Sequence, residues 1–194
     1  MILLVFSFLS LFLMFFSSAL FKLYMLFLAF LFLIVTLQLT LSTNSLLTVF
    51  DYYVSLYQFK FINLNYVLAF DGLTLYFILL TVLLFIVCLL LAWNLKYKMR
   101  EFILVLFFIN FFVFNVFAVV DLLLFYIFFE SLLIPMFLLI GVWGSRERKV
   151  SAAYQFFLYT LLGSIFMLIS VFFIYSHYGV ADFRIFLNFS ITFK

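Results

Sequence analysis

One carboxylate in this sequence sits where a charge is expensive to keep. Glu130 lies near the middle of Asp121-Leu-Leu-Leu-Phe-Tyr-Ile-Phe-Phe-Glu130-Ser-Leu-Leu-Ile-Pro135-Met-Phe-Leu-Leu-Ile140, a stretch long enough to cross a bilayer as a helix. An ionised side chain at that depth costs about 2.5–3.5 kcal/mol even on the lenient insertion scale, so it usually marks an ion or proton route. Helical spacing places Leu123, Tyr126, Ile127, Leu133, Ile134 and Phe137 on the same face, and of these only Tyr126 is polar. Asp121 is roughly 13 Å away along the axis and belongs to the water boundary. The chemistry open to Glu130 is proton handling. Burial favours the neutral acid and a nearby cation favours the carboxylate, so a group balanced between them changes protonation when its neighbour moves. The plainer reading is a neutral carboxyl hydrogen-bonded to Asn, Thr or Tyr of adjacent helices. Pro135 removes one backbone donor and crowds the carbonyl of Ser131, which either lines a cavity beside Glu130 or marks a simple kink. Asn110, Asn115, Tyr126, Tyr159, Thr160 and Ser164 can supply a wet path, or act as interhelical glue worth about 0.6 kcal/mol each.

The elements that position these residues follow from composition. The 194 residues are 71% hydrophobic, 25% aromatic and 9% charged, with a mean hydropathy of +1.46. No soluble domain hides that much apolar surface, and a single proline and five glycines argue against a loop-rich fold. The runs are too long for the alternation of a membrane barrel, so the expected fold is an all-α membrane protein. Residues 1–194 read as a single transmembrane domain with six spans, about 1–21, 23–41, 72–93, 102–120, 122–142 and 152–176. The first lacks a positive n-region and a cleavage site and is taken as a retained span ended by Lys22. Ser42 to Tyr66 collects polar residues and reads as an exposed connection, extended or partly folded at the interface. Asp71-Gly72 opens the third span, Trp93 anchors its end, and Asp121 marks a tight turn. The tail from His177 to Lys194 is too interrupted for a seventh crossing. Thirty-five phenylalanines fit codon bias toward A+T, as in many organelle genomes.

Several functions are excluded by type and spacing. Cys88 is alone in an apolar run and reads as packing, and His177 is alone and reads as interfacial, so no metal-ligand spacing exists. No GxGxxG or phosphate-cradling loop encodes a nicotinamide, flavin or nucleotide site. The net charge of +3 is too scattered for a nucleic-acid surface. Gly163-Ser164 reads as a small-residue contact for close helix approach, and Asn188-Phe-Ser190 fits the glycosylation pattern only as a chance match.

Charge sets the orientation. Lys22, the cluster Lys96–Arg100 and the cluster Arg146–Lys149 lie in loops two crossings apart, which puts seven of the ten Lys and Arg residues on one side. The positive-inside rule makes that the cytoplasm-equivalent side, with both termini opposite. All ten bases fall in loops, at span ends or in the tail, so none meets Glu130 at mid-membrane. If the carboxylate is ion-paired, its cation comes from another polypeptide.

At Asp71-Gly-Leu-Thr-Leu-Tyr-Phe, at Leu122 through Pro135-Met, at Gly141-Val-Trp-Gly-Ser-Arg-Glu-Arg-Lys149 and at Ala152-Ala-Tyr-Gln-Phe-Phe-Leu-Tyr-Thr-Leu-Leu-Gly-Ser164, the sequence closely resembles the NADH dehydrogenase subunit 4 family. These are antiporter-like subunits in the membrane arm of respiratory complex I. The resemblance is close over roughly residues 66–176 and holds earlier only by hydropathy. It implies the N-terminal portion of an antiporter-like helical bundle in the mitochondrial inner membrane, with the basic loops facing the matrix and both termini facing the intermembrane space. It makes Glu130 the acidic member of a Glu–Lys pair in a proton-translocating half-channel, with Pro135 as the kink beside it. NADH, FMN, iron–sulfur clusters and ubiquinone belong to other subunits, and this chain carries no redox site. Family members continue through more helices, one with a Lys-Met-Pro motif, that are absent here. A split subunit, with a second chain carrying those helices and the lysine, is the favoured account. The alternatives are a non-pumping scaffold of the same complex and a subunit of a related multi-subunit cation/proton antiporter. Other membrane-arm subunits and phospholipids are the expected partners.

Overall fold

Where no water can take up a backbone hydrogen bond, an apolar run closes its own bonds as a helix, and the long runs here do so. The computed structural model describes residues 18–42, 52–59, 64–95, 97–179 and 181–182. Their order is α1 (Ser18–Ser42), β1 (Tyr52–Phe59), β2 (Leu64–Phe70), α2 (Gly72–Leu91) followed by a 3-10 turn over Ala92–Asn94, α3 (Met99–Ala118), α4 (Leu122–Trp143) and α5 (Lys149–Tyr178). Five helices among the described residues are long and apolar enough to cross a membrane, against six expected. The chain is therefore a multi-pass membrane protein. The expected first span, 1–21, lies almost wholly outside the described residues.

One expectation is corrected. Lys22 is not a break between spans, because α1 runs through it unbroken. Its flexible stem carries the ammonium to the Trp93 carbonyl, to which Nζ donates at 2.9 Å, and over the Trp93 ring at 5.5 Å. A lysine near a helix end can reach the interface without ending the helix. The connection from Ser42 to Tyr66 is partly folded. Its described part is an antiparallel hairpin, Tyr52 pairing with Phe70 and Phe59 with Leu64, with an irregularity between Ser55 and Tyr57. The fold is thus helical with one β-hairpin.

Consecutive helices pack side by side, α1 on α2, α2 on α3, α3 on α4 and α4 on α5. The core lies among the first three. Phe21, Met25 and Ala29 of α1 meet Ile78, Val82 and Ile86 of α2 and Ile103 and Phe107 of α3. Phenylalanines stitch the same helices, with Phe77 stacked on Phe117 at 5.3 Å and Phe32 edge-on to Phe114 at 5.7 Å. Such ring pairs add about 0.5–1.5 kcal/mol beyond burial.

The two ends of the bundle differ in chemistry. At one end Trp143 Nε1 donates to the Tyr97 carbonyl at 3.3 Å, Lys149 Nζ donates to the Val142 carbonyl at 2.8 Å, and Lys22 holds Trp93. At the other, Asp71 begins α2 and its amide donates to Thr74 Oγ1 at 2.7 Å. Asp121 caps α4 there, accepting from the Leu123 amide at 2.9 Å. The turn between α3 and α4 is as tight as expected. Asp121, however, is only 4% exposed, because residues 181–182 return over it in a bridge from Asp182 and the Leu122 amide donates to Ala181.

Candidate functional site

The site is built by the antiparallel contact of α4 with α5. Near the basic end, a methyl group at Gly141 would sit 3.8 Å from the Ala153 side chain. One turn on, the Phe137 ring meets Tyr154 at 5.3 Å and Phe157 at 5.9 Å. Each step back along α4 is matched by a step forward along α5, a register that brings the turn holding Glu130 level with Ser164.

There the structure brings together three of the polar residues that the sequence singles out. Tyr126 and Glu130 stand four apart on α4, which makes them neighbours on one face. Tyr126 is half-buried there. Ser164 is 3% exposed, and its own hydroxyl donates to the Leu161 carbonyl at 2.9 Å. Glu130 is half-buried, while Pro135 is buried on α4 within a helix that continues past it to Trp143. The proline lacks an N–H, so the Ser131 carbonyl loses its usual donor one residue from the glutamate. The Ser131 hydroxyl bonds the Ile127 carbonyl at 2.7 Å instead.

Among the described residues no basic side chain pairs with Glu130, the nearest ion pair in kind being Lys98 with Glu101 at 3.5 Å on the exposed basic end. The arrangement is therefore an acid on the face it shares with Tyr126, level with Ser164 of the neighbouring helix. It can gain or release a proton, and it can orient a cation brought to it from outside.

The other candidates separate. Asn115 is buried and serves the hairpin: its amide donates to the Phe111 carbonyl at 2.8 Å and its Oδ1 accepts from the Tyr66 hydroxyl. Tyr159 is exposed, and Thr160 bonds back to Phe156 and Phe157 of its own helix. Asn110 is half-buried on α3. Gly163 is not the helix contact expected of it, since a side chain there meets nothing within 4 Å. A helix turns about 100° per residue, so burial of Ser164 swings its neighbour outward. Cys88 is packed beside the core, and His177 is exposed with its ring edge-on to Phe173 at 4.6 Å. Asn188 lies outside the described residues. Among the described residues no group of three His, Cys, Asp or Glu gathers to hold a metal.

Sequence reasoning missed Tyr66, which ties β2 to α3 through Asn115 and lies 6.0 Å ring to ring from Phe128 of α4. It sits outside the spanning helices, and burial pushes its phenol above the ordinary 10.0.

Comparison with known proteins bears on this site. The family described as NADH:quinone oxidoreductase/Mrp antiporter, TM, matches residues 119–193, which include all of α4 and α5. NADH-ubiquinone oxidoreductase chain 4 of Acanthamoeba castellanii is 49% identical over 162 residues, covering 79% of this chain and 32% of the relative. The Metridium senile protein of that name is 54% identical over 122 residues, 62% of this chain and 25% of the relative. The Arabidopsis thaliana one is 45% identical over 154 residues, 79% and 31%. The chain spans about a third of the length of the curated relatives it matches.

Proposed function

From the premise that this chain is a homologue of NADH-ubiquinone oxidoreductase chain 4, we propose that it forms the N-terminal portion of an antiporter-like subunit in the membrane arm of respiratory complex I. In that role Glu130 is the acidic member of a Glu–Lys pair in a proton-translocating half-channel, and Pro135 opens the helix beside it. The single observation carrying this reading is the setting of Glu130. It is mid-span and half-buried, on the face it shares with Tyr126 and level with Ser164, with no ion pair to a base among the described residues. An acid in hydrocarbon without a cation is costly, so in this reading the cation is supplied from outside the described residues. In this reading the lysine lies on helices beyond those described, and intact-mass analysis of the purified complex would show which polypeptide carries them.

Redox chemistry stays with other subunits, which hold NADH, FMN, the iron–sulfur clusters and ubiquinone; this chain contributes no redox group. The reading places the protein in the mitochondrial inner membrane among other membrane-arm subunits and phospholipid. The end bearing Lys22, Lys98, Arg100 and Arg146–Lys149 faces the matrix, following the positive-inside rule.

Glu130→Gln is the test. It removes the titrating oxygen and keeps shape, so the complex should assemble while coupled proton translocation and NADH oxidation fall by about tenfold or more, the scale of losing a buried charged pair. Wild-type translocation in that variant favours the scaffold reading, in which the glutamate is only a hydrogen-bonded polar group. A subunit of a multi-subunit cation/proton antiporter is favoured instead if the chain copurifies without quinone-reducing, iron–sulfur partners.

A further inference from the structure

Most of the described bases at the end of the bundle where α2 and α4 finish are already engaged. Lys22 donates to the Trp93 carbonyl at 2.9 Å, Lys98 pairs with Glu101 at 3.5 Å, Lys149 donates to the Val142 carbonyl at 2.8 Å, and Arg100 also has a partner. Arg146 and Arg148 differ. Both are exposed in the turn between α4 and α5, and among the described residues neither guanidinium takes part in a hydrogen bond or an ion pair, even with Glu147 between them. Aromatic side chains fix the depth of this turn. Trp143 Nε1 donates to the Tyr97 carbonyl at 3.3 Å, and the exposed rings of Tyr97 and Trp93 lie at the same end, as interfacial aromatics do at the level of lipid headgroups. An apolar row then leads away from the arginines down α5. Val150, Tyr154, Leu158 and Leu162 follow at four-residue spacing and are 52–56% exposed. The row covers about 18 Å of helix, close to the ~15 Å of hydrocarbon in one leaflet.

We propose that Arg146 and Arg148 form a binding site for the phosphodiester headgroup of an anionic phospholipid, with an acyl chain laid along Val150, Tyr154, Leu158 and Leu162. A guanidinium offers a planar fork of N–H donors that matches two phosphate oxygens, and it is more weakly hydrated than an ammonium. A zwitterionic headgroup carries its own ammonium, which offsets the attraction of its phosphate for the arginines. An acidic protein segment would meet the same two charges but leave the apolar row beneath them uncovered, so the pairing of bases with that row selects a lipid. The site is separate from Glu130 and holds whichever role that residue has.

The test uses the full chain together with whatever copurifies with it, in nanodiscs of phosphatidylcholine alone or mixed equally with phosphatidylglycerol. A phosphatidylglycerol that is photoactivatable at its headgroup, followed by peptide mapping, reports where the lipid sits. It should label the turn between α4 and α5 in the wild type, and unlabelled phosphatidylglycerol should compete where phosphatidylcholine does not. Each arginine near an anionic headgroup contributes about fivefold in affinity, so Arg146→Gln/Arg148→Gln should weaken labelling about 25-fold. Arg146→Lys/Arg148→Lys should recover part of it, because an ammonium keeps the charge and loses the fork. Lys98→Gln, which removes a base already paired with Glu101, should label as the wild type does. Unchanged labelling in the double glutamine variant, or equal competition by phosphatidylcholine, overturns the site. An equal loss in Lys98→Gln also overturns it, since general surface charge would then account for the binding. A cross-link from this turn to an acidic polypeptide in place of lipid does the same. Should the double variant fail to assemble, the wild type decides: labelling must fall as added salt shortens the screening length, and constant labelling overturns the proposal.

Discussion

At the scale of single residues, Tyr66 and Asn115 show how a buried polar pair fixes a local structure. The Tyr66 hydroxyl donates to Asn115 Oδ1, and Asn115 is 2% exposed. Asn115→Ala leaves that hydroxyl without its acceptor and should cost about 1–3 kcal/mol, read as a lower unfolding temperature in detergent. The pair also carries a pH dependence. Burial raises the Tyr66 phenol above 10.0, and the bond needs the phenol's proton. Its contribution is therefore complete below the unfolded value and fades as pH rises through the raised one. Hydrogen exchange of β2 should accelerate above about pH 10 in the wild type, and Tyr66→Phe should lose that alkaline limb; an identical limb in both would assign it to another group. Glu130 was legible in the sequence because a carboxylate in a long apolar run stands out by type alone. Its partners were legible only as a set of candidates. Spacing shows that Tyr126 shares its face, but choosing Ser164 over Thr160 or Tyr159 needs the register of α4 on α5, a tertiary fact.

At the scale of elements, the turn between α4 and α5 is built around a glycine that no side chain can replace. An added Cβ at Gly144 collides with the Ile140 carbonyl and comes within 2.9 Å of Lys149 Cβ, which are backbone and root atoms that cannot swing away. Gly144→Ala should destabilise by about 1–3 kcal/mol, as overpacking does. Gly163→Ala, facing open space, should leave the unfolding temperature unchanged; equal loss in both variants would show that the close approach at Gly144 is not what constrains it. Helix boundaries at Asp71, Asp121 and Trp143 were readable because polar caps and interfacial aromatics end apolar runs. The hairpin was not, because Ser, Asn, Gln and Lys among its tyrosines and phenylalanines lower hydropathy and so resemble a loop. The β-forming run Tyr52-Tyr-Val-Ser-Leu-Tyr-Gln-Phe was the overlooked signal. Lys22 misled for a related reason, since hydropathy weighs its charge and ignores its apolar stem.

At the scale of the whole molecule, the described bases gather at one end, with Glu101 and Glu147 among them, and three aspartates mark the other. Lys22, Lys98, Arg100 and Arg146–Lys149 cluster where α2 and α4 finish, and Asp71, Asp121 and Asp182 lie where those helices start. Orientation in the membrane can be measured with cysteines placed at Arg148 and at Gly179, both exposed and at opposite ends, in a Cys88→Ser background. An impermeant thiol reagent should label the Arg148→Cys position from the matrix face and the Gly179→Cys position from the opposite face; the reverse pattern would invert the assignment.

The account as a whole depends on a cation that none of the described residues brings to Glu130. An experimental structure of the assembled complex measures this directly, as the distance from the Glu130 carboxylate to the nearest ammonium. The account predicts a lysine from beyond the described residues within about 4–6 Å, the range over which an opposite charge governs protonation. A Glu130 facing lipid, or enclosed with only Tyr126 and Ser164 for company, would contradict it.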